Sequence, residues 1–438
     1  MNSYLAHPVR RVAGTVAVPG DKSISHRSLM LSGIAEGTSD VSGFLASEDC
    51  LASLRAMRSL GVDIERPAET RVIVRGVGLR GLKPALHALD MGNAGTAMRL
   101  FTGLLSAQHF DSQLIGDESL MRRPMERVAK PLREMGAQVH TRDGTPPVDI
   151  KAAERLHGID YLLPVASAQV KSAILLAGLY AEGPTKVRAP AVSRDHTERM
   201  LRSFGVRLEG DDMAVCVHPP QRLQSQRLTV PGDFSSAAFF IVAALLGASG
   251  GALMIENVGL NPTRTGLLDI LRSMGADIEV LNLRSSGAEP VGDLQIRESA
   301  LRGIEVPAAL VPLAIDEFPV LFIAAACASG ETLVSGAQEL RVKESDRIAV
   351  MSAGLGALGV RHSTLPDGMR IEGRGEGPVF DGGEVQSGGD HRVAMSFCVA
   401  SVRARAPIVI RDVANVATSF PGFAARARQI GLDVRNCG

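Results

Sequence analysis

Aromatic side chains and an excess of charge are what this chain of 438 residues lacks. It has no tryptophan, three tyrosines and 4% aromatic residues. Because base stacking needs aromatic side chains, a surface for single-stranded nucleic acid is not expected. Lys+Arg and Asp+Glu both number 47, so the net charge is +0 and no general polyanion-binding surface is indicated.

Cysteines and long apolar runs are also scarce. The five cysteines are odd in number and include no CxxC pair, which favours reduced thiols over a disulfide framework or a zinc site. The longest apolar run, residues 237–248, is too short to span a bilayer. The first residues lack the apolar core of a signal peptide. We therefore expect a cytoplasmic protein without membrane association.

An internal repeat organises the chain. A helical run, a glycine and a short strand-like segment recur about every 70 to 80 residues, which predicts helices that end at a left-handed glycine. The glycines are Gly61, Gly136, Gly205, Gly275, Gly359 and Gly431.

A second marker repeats in step with the first. A capping-type residue precedes a helix of small apolar residues in each repeat. Together the two series predict an α/β (α+β) fold of six units, each with two helices and several short strands. The opening residues are Asp21, Asn93, Ser167, Asp233, Asp316 and Asp390.

The six units divide into two halves. VPGDKS at 18–23 and VPGDFS at 230–235 are Pro-Gly turns that feed helices, and they lie near half the chain length apart. We expect one lobe over 19–230 and another over 231–438, joined by the strand 1–18. An elongated, non-catalytic repeat scaffold that binds proteins is the alternative.

Familiar nucleotide and metal motifs are weak or missing. Gly76, Gly78 and Gly81 match GxGxxG, but Pro84 prevents the helix that a dinucleotide site needs, so a turn is expected. No P-loop and no HExxH are present, and the ten histidines show no metal-ligand spacing. No metal or cofactor is predicted.

Charged residues gather where the helices begin. Helix N-termini bind anions, so the repeated basic residues point to strongly anionic ligands. Two carboxylates among them, Asp316 and Glu344, are candidates for moving protons. Simple helix caps and a solvated helix face at KESDR are the alternatives. The cations are Lys22, Arg27, Arg123, Arg194, Lys343, Arg347 and Arg392.

The combined motifs resemble one known family, 5-enolpyruvylshikimate-3-phosphate synthase, along nearly the whole chain. The resemblance implies a two-lobed, inside-out α/β barrel-like fold, with three βαβαββ units per lobe and two hinge crossings. It also implies enolpyruvyl transfer from phosphoenolpyruvate to the 5-hydroxyl of shikimate 3-phosphate, in a monomer that needs no cofactor. The motifs are PGDKSISHRS, GNAGTAMR, RRPM, ASAQVKSA, SRDHTE, NPTRTG, IDEFP, LRVKESDR, DHRVAMSF and TSFP.

The resemblance assigns roles to single residues. Asp316 takes the hydroxyl proton, Glu344 or Lys22 protonates the methylene carbon, and His391 assists. The residues implied for shikimate 3-phosphate are Lys22, Ser23, Arg27, Ser167, Ala168, Gln169, Arg194, Asp316 and Lys343. Those implied for phosphoenolpyruvate are Lys22, Asn93, Gly95, Thr96, Arg123, Gln169, Arg347 and Arg392.

One departure, one position that bears on an inhibitor and one rival qualify the resemblance. Many relatives carry Lys before T-F-P, whereas Thr418 precedes the corresponding Ser-Phe-Pro here, so one phosphate contact is missing. The loss fits a divergent branch of the family that shares the ASAQ and SRDHTE motifs. Gly95 stands where glyphosate-tolerant relatives carry Ala, which predicts that glyphosate inhibits. The rival is the sister enzyme that acts on UDP-N-acetylglucosamine, but the loop Gly116–Pro124 lacks that family's cysteine.

Overall fold

Two compact units make up the chain in the computed structural model, which describes residues 3–219, 221–247 and 251–437. The first lobe is Gly20–Val230 together with Ser285–Glu289. The second lobe is the chain up to Pro19, Pro231–Arg284 and the chain from Pro290. Two segments differ from the expected lobes: Pro19 belongs to the second lobe, and the short segment 285–289 belongs to the first.

The helices of the described residues are interspersed with strands along the chain. They are α1 Lys22–Gly33, α2 Glu48–Ser59, α3 Gly95–Leu105, α4 Glu126–Glu134, α5 Ala168–Gly178, α6 His196–Ser203, α7 Phe234–Leu246, α8 Gly266–Ser273, α9 Val311–Ala314, α10 Phe318–Cys327, α11 Arg347–Ala357, α12 His391–Ala400 and α13 Phe423–Gln429.

The strands are mostly short. They are β1 Ser3–His7, β2 Gly14–Ala17, β3 Glu36–Ser42, β4 Asp63–Ala68, β5 Arg71–Val77, β6 Leu89–Asp90, β7 Ser112–Ile115, β8 Gln138–Arg142, β9 Thr145–Lys151, β10 Asp160–Leu162, β11 Thr185–Arg188, β12 Leu208–Gly210, β13 Ala214–Val217, β14 Arg227–Thr229, β15 Ala252–Gly259, β16 Asp277–Ser286, β17 Glu289–Arg297, β18 Ser329–Val334, β19 His362–Leu365, β20 Gly368–Arg374, β21 Gly383–Gln386, β22 Ile408–Arg411 and β23 Asp433–Cys437.

One sheet pattern recurs in both lobes. In the first lobe the strand orders are β14-β3-β5-β4, β6-β7-β9-β8 and β10-β11-β13-β12, each with one parallel edge pair followed by antiparallel pairs. In the second lobe they are β2-β15-β17-β16, β18-β20-β19 and β21-β22-β1-β23. Parallel bridges from Arg302 and Glu305 to β18 stand in for a fourth strand in the three-stranded sheet. The prediction of six repeated units is confirmed.

The helix-ending glycines adopt the backbone conformation that the sequence pattern predicts. All six helix-ending glycines have positive φ, between 78° and 100°. This backbone region strains a side chain with a Cβ, so glycine ends each helix there and turns the chain toward the next strand. The GxGxxG segment is a turn as expected, since Gly76 lies in β5, Gly78 has φ of 74°, and no helix follows until α3.

The predicted helix starts are confirmed at four positions and wrong at two. Asp21, Ser167, Asp233 and Asp390 cap α1, α5, α7 and α12 with their side chains. By contrast, α3 and α10 begin two residues after Asn93 and Asp316, behind Ala94 and Glu317, and neither start has a side-chain cap. The Asn93 and Asp316 side chains bind charged partners instead, which removes them from capping.

Each lobe has its own hydrophobic core. In the second lobe, every residue of α7 and α10 is buried, as expected for helices that are apolar all round. In the first lobe, α3 packs directly on α5, and a Cβ added at Gly103 would lie 2.2 Å from the carbonyl oxygen of Ala173. The cores therefore fix the helix starts that carry the predicted ligands.

Two expectations from the composition concern membrane-spanning helices and disulfide bonds. Within the described ranges, no helix has the length and apolar character that a membrane crossing requires. All five cysteines are free. The apolar run 237–248 forms the body of α7, and its last residue, Ala248, lies outside the described residues.

Candidate active site

The start of α1 places two predicted ligands on the first lobe. Lys22 is the first residue of the helix, and its ammonium pairs with the buried carboxylate of Asp49. Ser23 follows and is half-buried. The Asp21 carboxylate accepts a hydrogen bond from the backbone N–H of Ile24 at 2.8 Å and fixes the start of the helix. Lys22 and Ser23 are thus held where the helix dipole favours an anion.

Arg27 is a buried cation held by neutral groups. Its Nε donates to Thr197 Oγ1 at 2.6 Å, its Nη1 to the carbonyl oxygen of Ser23 at 2.9 Å and its Nη2 to Ser172 Oγ at 3.0 Å. Burial lowers the pKa of Arg27 to about 10, so the guanidinium is still charged at neutral pH. A buried positive charge whose hydrogen-bond acceptors are all neutral is ready to accept an anionic ligand.

Arg123 lies over the start of α3. Its Nη2 donates to Asn93 Oδ1 at 2.6 Å and its Nη1 to the Asn93 carbonyl oxygen at 3.2 Å. The amide nitrogen of Asn93 donates to Asp117 Oδ2 at 2.8 Å, which fixes the orientation of the amide. A Cβ at Gly95 would lie 3.0 Å from Arg123 Nη1, so the guanidinium sits against the bare backbone.

Gln169 joins the starts of α3 and α5. Its Oε1 accepts from Arg99 Nη1 at 2.6 Å, and its Nε2 donates to Thr96 Oγ1 at 2.8 Å. Ser167 caps α5 and Ala168 is its first residue, both half-buried. Because both ends of the Gln169 amide are engaged, its position is set by the protein and not by a ligand.

The turn before α6 carries Arg194, which is half-buried. The first turn of α6 anchors this segment: Thr197 accepts from Arg27, and Glu198 forms a buried ion pair with Lys171 at 2.6 Å. Arg194 therefore lies on a loop that is tied to both α1 and α5.

In the second lobe, Arg347 is the hub of the predicted residues. It is the first residue of α11 and only 1% exposed. Its Nε donates to Asp390 Oδ2 at 2.8 Å, its Nη2 to Glu344 Oε2 at 2.6 Å and its Nη1 to Asp316 Oδ1 at 3.3 Å. Burial alone lowers the pKa of Arg347, but these three carboxylates raise it above its ordinary value. The alternative of a solvated face is wrong at this position.

Asp316 is surrounded by cations of its own lobe. Besides Arg347, Lys343 Nζ lies 3.4 Å from its Oδ1 and Arg264 Nη1 lies 3.7 Å from its Oδ2. Nη1 of Arg392 donates to the Asp316 carbonyl oxygen at 3.3 Å. Cations within this distance favour the ionised form of a carboxyl group.

His391 and Arg392 open α12. His391 is buried, and the backbone N–H of Arg392 donates to Asp390 Oδ1 at 2.9 Å. Asp390 thus holds the helix start and Arg347 at once.

The contacts bring most predicted residues into local groups and add residues that the sequence argument gave no role. Arg99 had a signal, since it lies four residues after Gly95 on the same helix. Arg264 lies within the NPTRTG motif, which was quoted without a function. The added residues are Asp49, Arg99, Lys171, Ser172, Thr197, Glu198, Arg264 and Glu317, and they are joined by Asp390, which was predicted only as a helix cap.

In the part of the chain that the structure describes, no three His, Cys, Asp or Glu side chains are grouped as a metal site would need. The charged side chains are instead paired with each other or bonded to neutral groups.

Known proteins match the chain over its whole length. A family model described as EPSP synthase (3-phosphoshikimate 1-carboxyvinyltransferase) matches residues 6–426. The 3-phosphoshikimate 1-carboxyvinyltransferase of Methylococcus capsulatus is 57% identical over 98% of both chains, and that of Legionella pneumophila strain Philadelphia 1 is 56% identical over 99% of both.

Solved structures are similar to this chain in the same way as the sequence relatives. EPSP synthase from Acinetobacter baumannii is 52% identical, has a TM-score of 0.90 and covers 100% of both chains. The enolpyruvyl transferase NikO from Streptomyces tendae shares the fold, with a TM-score of 0.79 over 100% of this chain and 99% of its own, at 18% identity. By its matched length, identity and fold, the chain belongs to the EPSP synthase family.

Proposed function

We propose that this chain transfers the enolpyruvyl group of phosphoenolpyruvate to the 5-hydroxyl of shikimate 3-phosphate and releases phosphate, a step of aromatic amino-acid biosynthesis. The observation that carries the proposal is similarity along nearly the whole chain to 3-phosphoshikimate 1-carboxyvinyltransferases. That name states the transferred group and its acceptor.

Shikimate 3-phosphate is the proposed ligand of the Arg27 side of the first lobe. The support is the buried guanidinium of Arg27 with its neutral acceptors, because an incoming phosphate does not have to displace a protein carboxylate from it. The full proposed set is Lys22, Ser23, Arg27, Ser167, Ala168, Gln169, Arg194, Asp316 and Lys343.

Phosphoenolpyruvate is the proposed ligand of the start of α3. The support is Arg123, whose guanidinium lies against the bare backbone of Gly95 at the N-terminus of the helix, where the helix dipole favours an anion. Gln169, fixed by Arg99 and Thr96, adds a donor and acceptor of set orientation. The full proposed set is Lys22, Asn93, Gly95, Thr96, Arg123, Gln169, Arg347 and Arg392.

The proposed reaction has two proton-coupled steps. In the first, the substrate oxygen bonds to the central carbon of phosphoenolpyruvate while its proton passes to Asp316 and the methylene carbon gains a proton. In the second, the bond from that central carbon to the phosphate oxygen breaks and the new methyl group loses a proton. Asp316 suits the base role because Lys343, Arg347 and Arg264 all favour its ionised form.

Two residues compete for protonating the carbon. Glu344 is partly exposed, but Arg347 at 2.6 Å favours its ionised form, so it must gain a proton before it acts as an acid. Lys22 is the first residue of α1, and its ammonium pairs with the buried carboxylate of Asp49, which holds the side chain in place. We keep both as candidates, with buried His391 as an assisting group.

Solvent deuterium uptake into the methyl group of the intermediate separates the two acids. Glu344→Gln with normal uptake assigns the role to Lys22. Loss of uptake in Glu344→Gln, with uptake kept in Lys22→Arg, assigns it to Glu344. Binding of shikimate 3-phosphate by calorimetry controls for loss of the site as a whole.

Three finer properties belong to the same proposal. The inhibitor glyphosate binds at Gly95, the five free cysteines fit a reducing cytoplasm, and the protein acts as a monomer. Only six large apolar side chains of the described residues are exposed, which supports the monomer. They are Leu86, Leu162, Val165, Met213, Leu283 and Val342.

Phosphate release tests the reaction directly. The purified protein is given phosphoenolpyruvate in a chelator, with shikimate 3-phosphate in one tube and UDP-N-acetylglucosamine in the other. Release in the first tube alone is the expected result. Release in the second alone contradicts the acceptor, and release in neither supports the non-catalytic alternative.

A further inference from the structure

A buried arginine outside the proposed ligand sets lies behind Asp316. Arg264 precedes α8 and is only 4% exposed. Its Nη1 lies 3.3 Å from Glu317 Oε1 and 3.7 Å from Asp316 Oδ2, and its Nη2 lies 3.7 Å from Asp233 Oδ1 and also contacts the Ser235 hydroxyl. One guanidinium therefore faces three carboxylates.

Glu317 is the second unusual group. Its side chain is fully buried, yet it carries a carboxylate one residue from Asp316. Its Oε1 accepts from Ser235, lies 3.3 Å from Arg264 and lies 3.6 Å from Arg392 Nη1. A buried carboxylate is tolerated only when it is paired. Arg264 and Arg392 therefore stabilise the charge of Glu317, and Glu317 in turn fixes the positions of both guanidinium groups.

We propose that Arg264 and Glu317 are positioning residues of the reaction: Glu317 sets the guanidinium of Arg392, and Arg264 neutralises Glu317 while it orients the carboxylate of Asp316. The inference rests on the proposed function, since it takes Arg392 as a phosphoenolpyruvate ligand and Asp316 as the base. Neither Arg264 nor Glu317 is assigned to a substrate.

The geometry requires a guanidinium at position 264. Its two terminal nitrogens point to different carboxylates, and the planar fork spans both pairs without moving. An ammonium group keeps the charge but is a single point, so it satisfies one side and leaves the other. Charge and orientation can therefore be separated by comparing Lys and Gln at this position.

The charges around Asp316 decide what a pH profile reports. The cations that face it are Arg264 from the loop before α8, Lys343 from the loop before α11 and Arg347 from α11. Arg392 of α12 contacts its carbonyl oxygen. The carboxylates that share these arginines are Asp233, Glu317, Glu344 and Asp390.

Glu317→Gln tests the first half of the inference. Freed from Glu317, the guanidinium of Arg392 shifts, and a misplacement approaching 1 Å costs up to about a hundredfold. We expect KM for phosphoenolpyruvate to rise at least tenfold, while KM for shikimate 3-phosphate stays within twofold. The control is Glu331→Gln, which breaks an exposed ion pair with Arg370 in the same lobe. An unchanged KM for phosphoenolpyruvate overturns this half.

Arg264→Lys and Arg264→Gln test the second half. We expect both to lower kcat, and only Gln to move the acid limb of the kcat profile upward, by about one pH unit, since only Gln removes the charge. Arg272→Gln, an exposed arginine of α8, is the control. Identical acid limbs in wild type and Arg264→Gln overturn the charge role, and full kcat in Arg264→Lys overturns orientation.

Folding and the proposed function are checked separately. If Arg264→Gln does not fold, Arg264→Lys and Glu317→Gln still decide the question. The wild-type enzyme must first release phosphate with shikimate 3-phosphate. If it does not, the proposed function fails; if it does and the variants match it, only this inference fails.

Discussion

Adding a methyl group at Gly95 is predicted to separate inhibitor from substrate. Gly95 is the first residue of α3, and a Cβ there would lie 3.0 Å from Arg123 Nη1 and 3.5 Å from both Arg99 Nη1 and Leu120 Cδ1. Ordinary contact begins near 3.4 Å, so the tip of Arg123 must retreat by about 0.4 Å. The side-chain tip can make this shift, so we expect Gly95→Ala to fold.

The two ligands respond differently because of their length. Overpacking costs about 1–3 kcal/mol. Phosphoenolpyruvate contacts only the shifted Arg123, so we expect its loss of binding free energy to lie at the low end of this range. That predicts a rise of roughly fivefold in its KM. Glyphosate has one more bond between its carboxylate and its phosphorus, so it fills more of the same space and meets the methyl group directly. We expect its loss of binding free energy to lie at the high end of the same range, which corresponds to a roughly hundredfold rise in Ki.

Steady-state phosphate release measures both constants in one protein. The matched control is Gly356→Ala, an exposed helix position where the new Cβ makes only an ordinary contact at 3.5 Å with His362. It should leave both constants unchanged and stabilise α11 by up to about 1 kcal/mol. Equal changes in Ki and KM for Gly95→Ala, or none in Ki, would refute the reasoning.

Three further predictions follow from the first lobe. Arg27→Lys loses the fork that binds three neutral acceptors, so KM for shikimate 3-phosphate rises about tenfold or more while KM for phosphoenolpyruvate stays within twofold, by initial rates. Gly103→Ala forces a Cβ to 2.2 Å from the Ala173 carbonyl oxygen, so urea unfolding should give a loss of about 3 kcal/mol or complete misfolding; a loss below 1 kcal/mol contradicts it. Burial, and then Lys22 and Arg27, hold the pKa of His26 well below 6.5, so below pH 6.5 the unfolded chain binds a proton that the folded chain does not, and stability falls. Between pH 7.5 and 5.5 wild type should lose about 1 kcal/mol more than His26→Gln, and equal losses would refute this.

The repeated architecture was predictable because it depends on local backbone chemistry. A glycine with positive φ follows one helix in every unit, whichever residues pack around it, so six such glycines in step give the six units. The sheet orders were not predictable in this way. Strands as short as Leu89–Asp90 carry little pattern of their own and are defined by their partners.

The helix starts at Asn93 and Asp316 were predicted wrongly for a physical reason. A capping residue is recognised by its type, but capping competes with other hydrogen bonds that the same side chain makes. Asn93 accepts from Arg123, and Asp316 faces Arg264, Lys343 and Arg347. These partners are 30 or more residues from Asn93 and 27 or more from Asp316, so no local pattern reveals the competition.

The same limit explains why Arg264 and Glu317 were given no role. Each is one charged residue beside a helix start, and alone it indicates only a cap or a surface residue. Their meaning appears when burial removes the water that would otherwise solvate them, because buried charges must then find each other.

Two buried arginines, Arg27 in the first lobe and Arg347 in the second, have acceptors of opposite kinds, and the difference matches their proposed roles. Arg27 donates to hydroxyl and carbonyl acceptors, and the carboxylates of Asp21, Glu198 and Glu289 act on it only electrostatically, so an anion does not have to displace a carboxylate from it. Arg347 is surrounded by Asp316, Glu344 and Asp390, so its charge is already neutralised and a further anion gains less from it. Arg27 is therefore suited to bind substrate, whereas Arg347, although it belongs to the proposed phosphoenolpyruvate set, is suited mainly to hold the carboxylates of Asp316 and Glu344 in place. Replacing Arg347 should accordingly lower kcat more than it raises either KM, and replacing Arg27 should do the reverse.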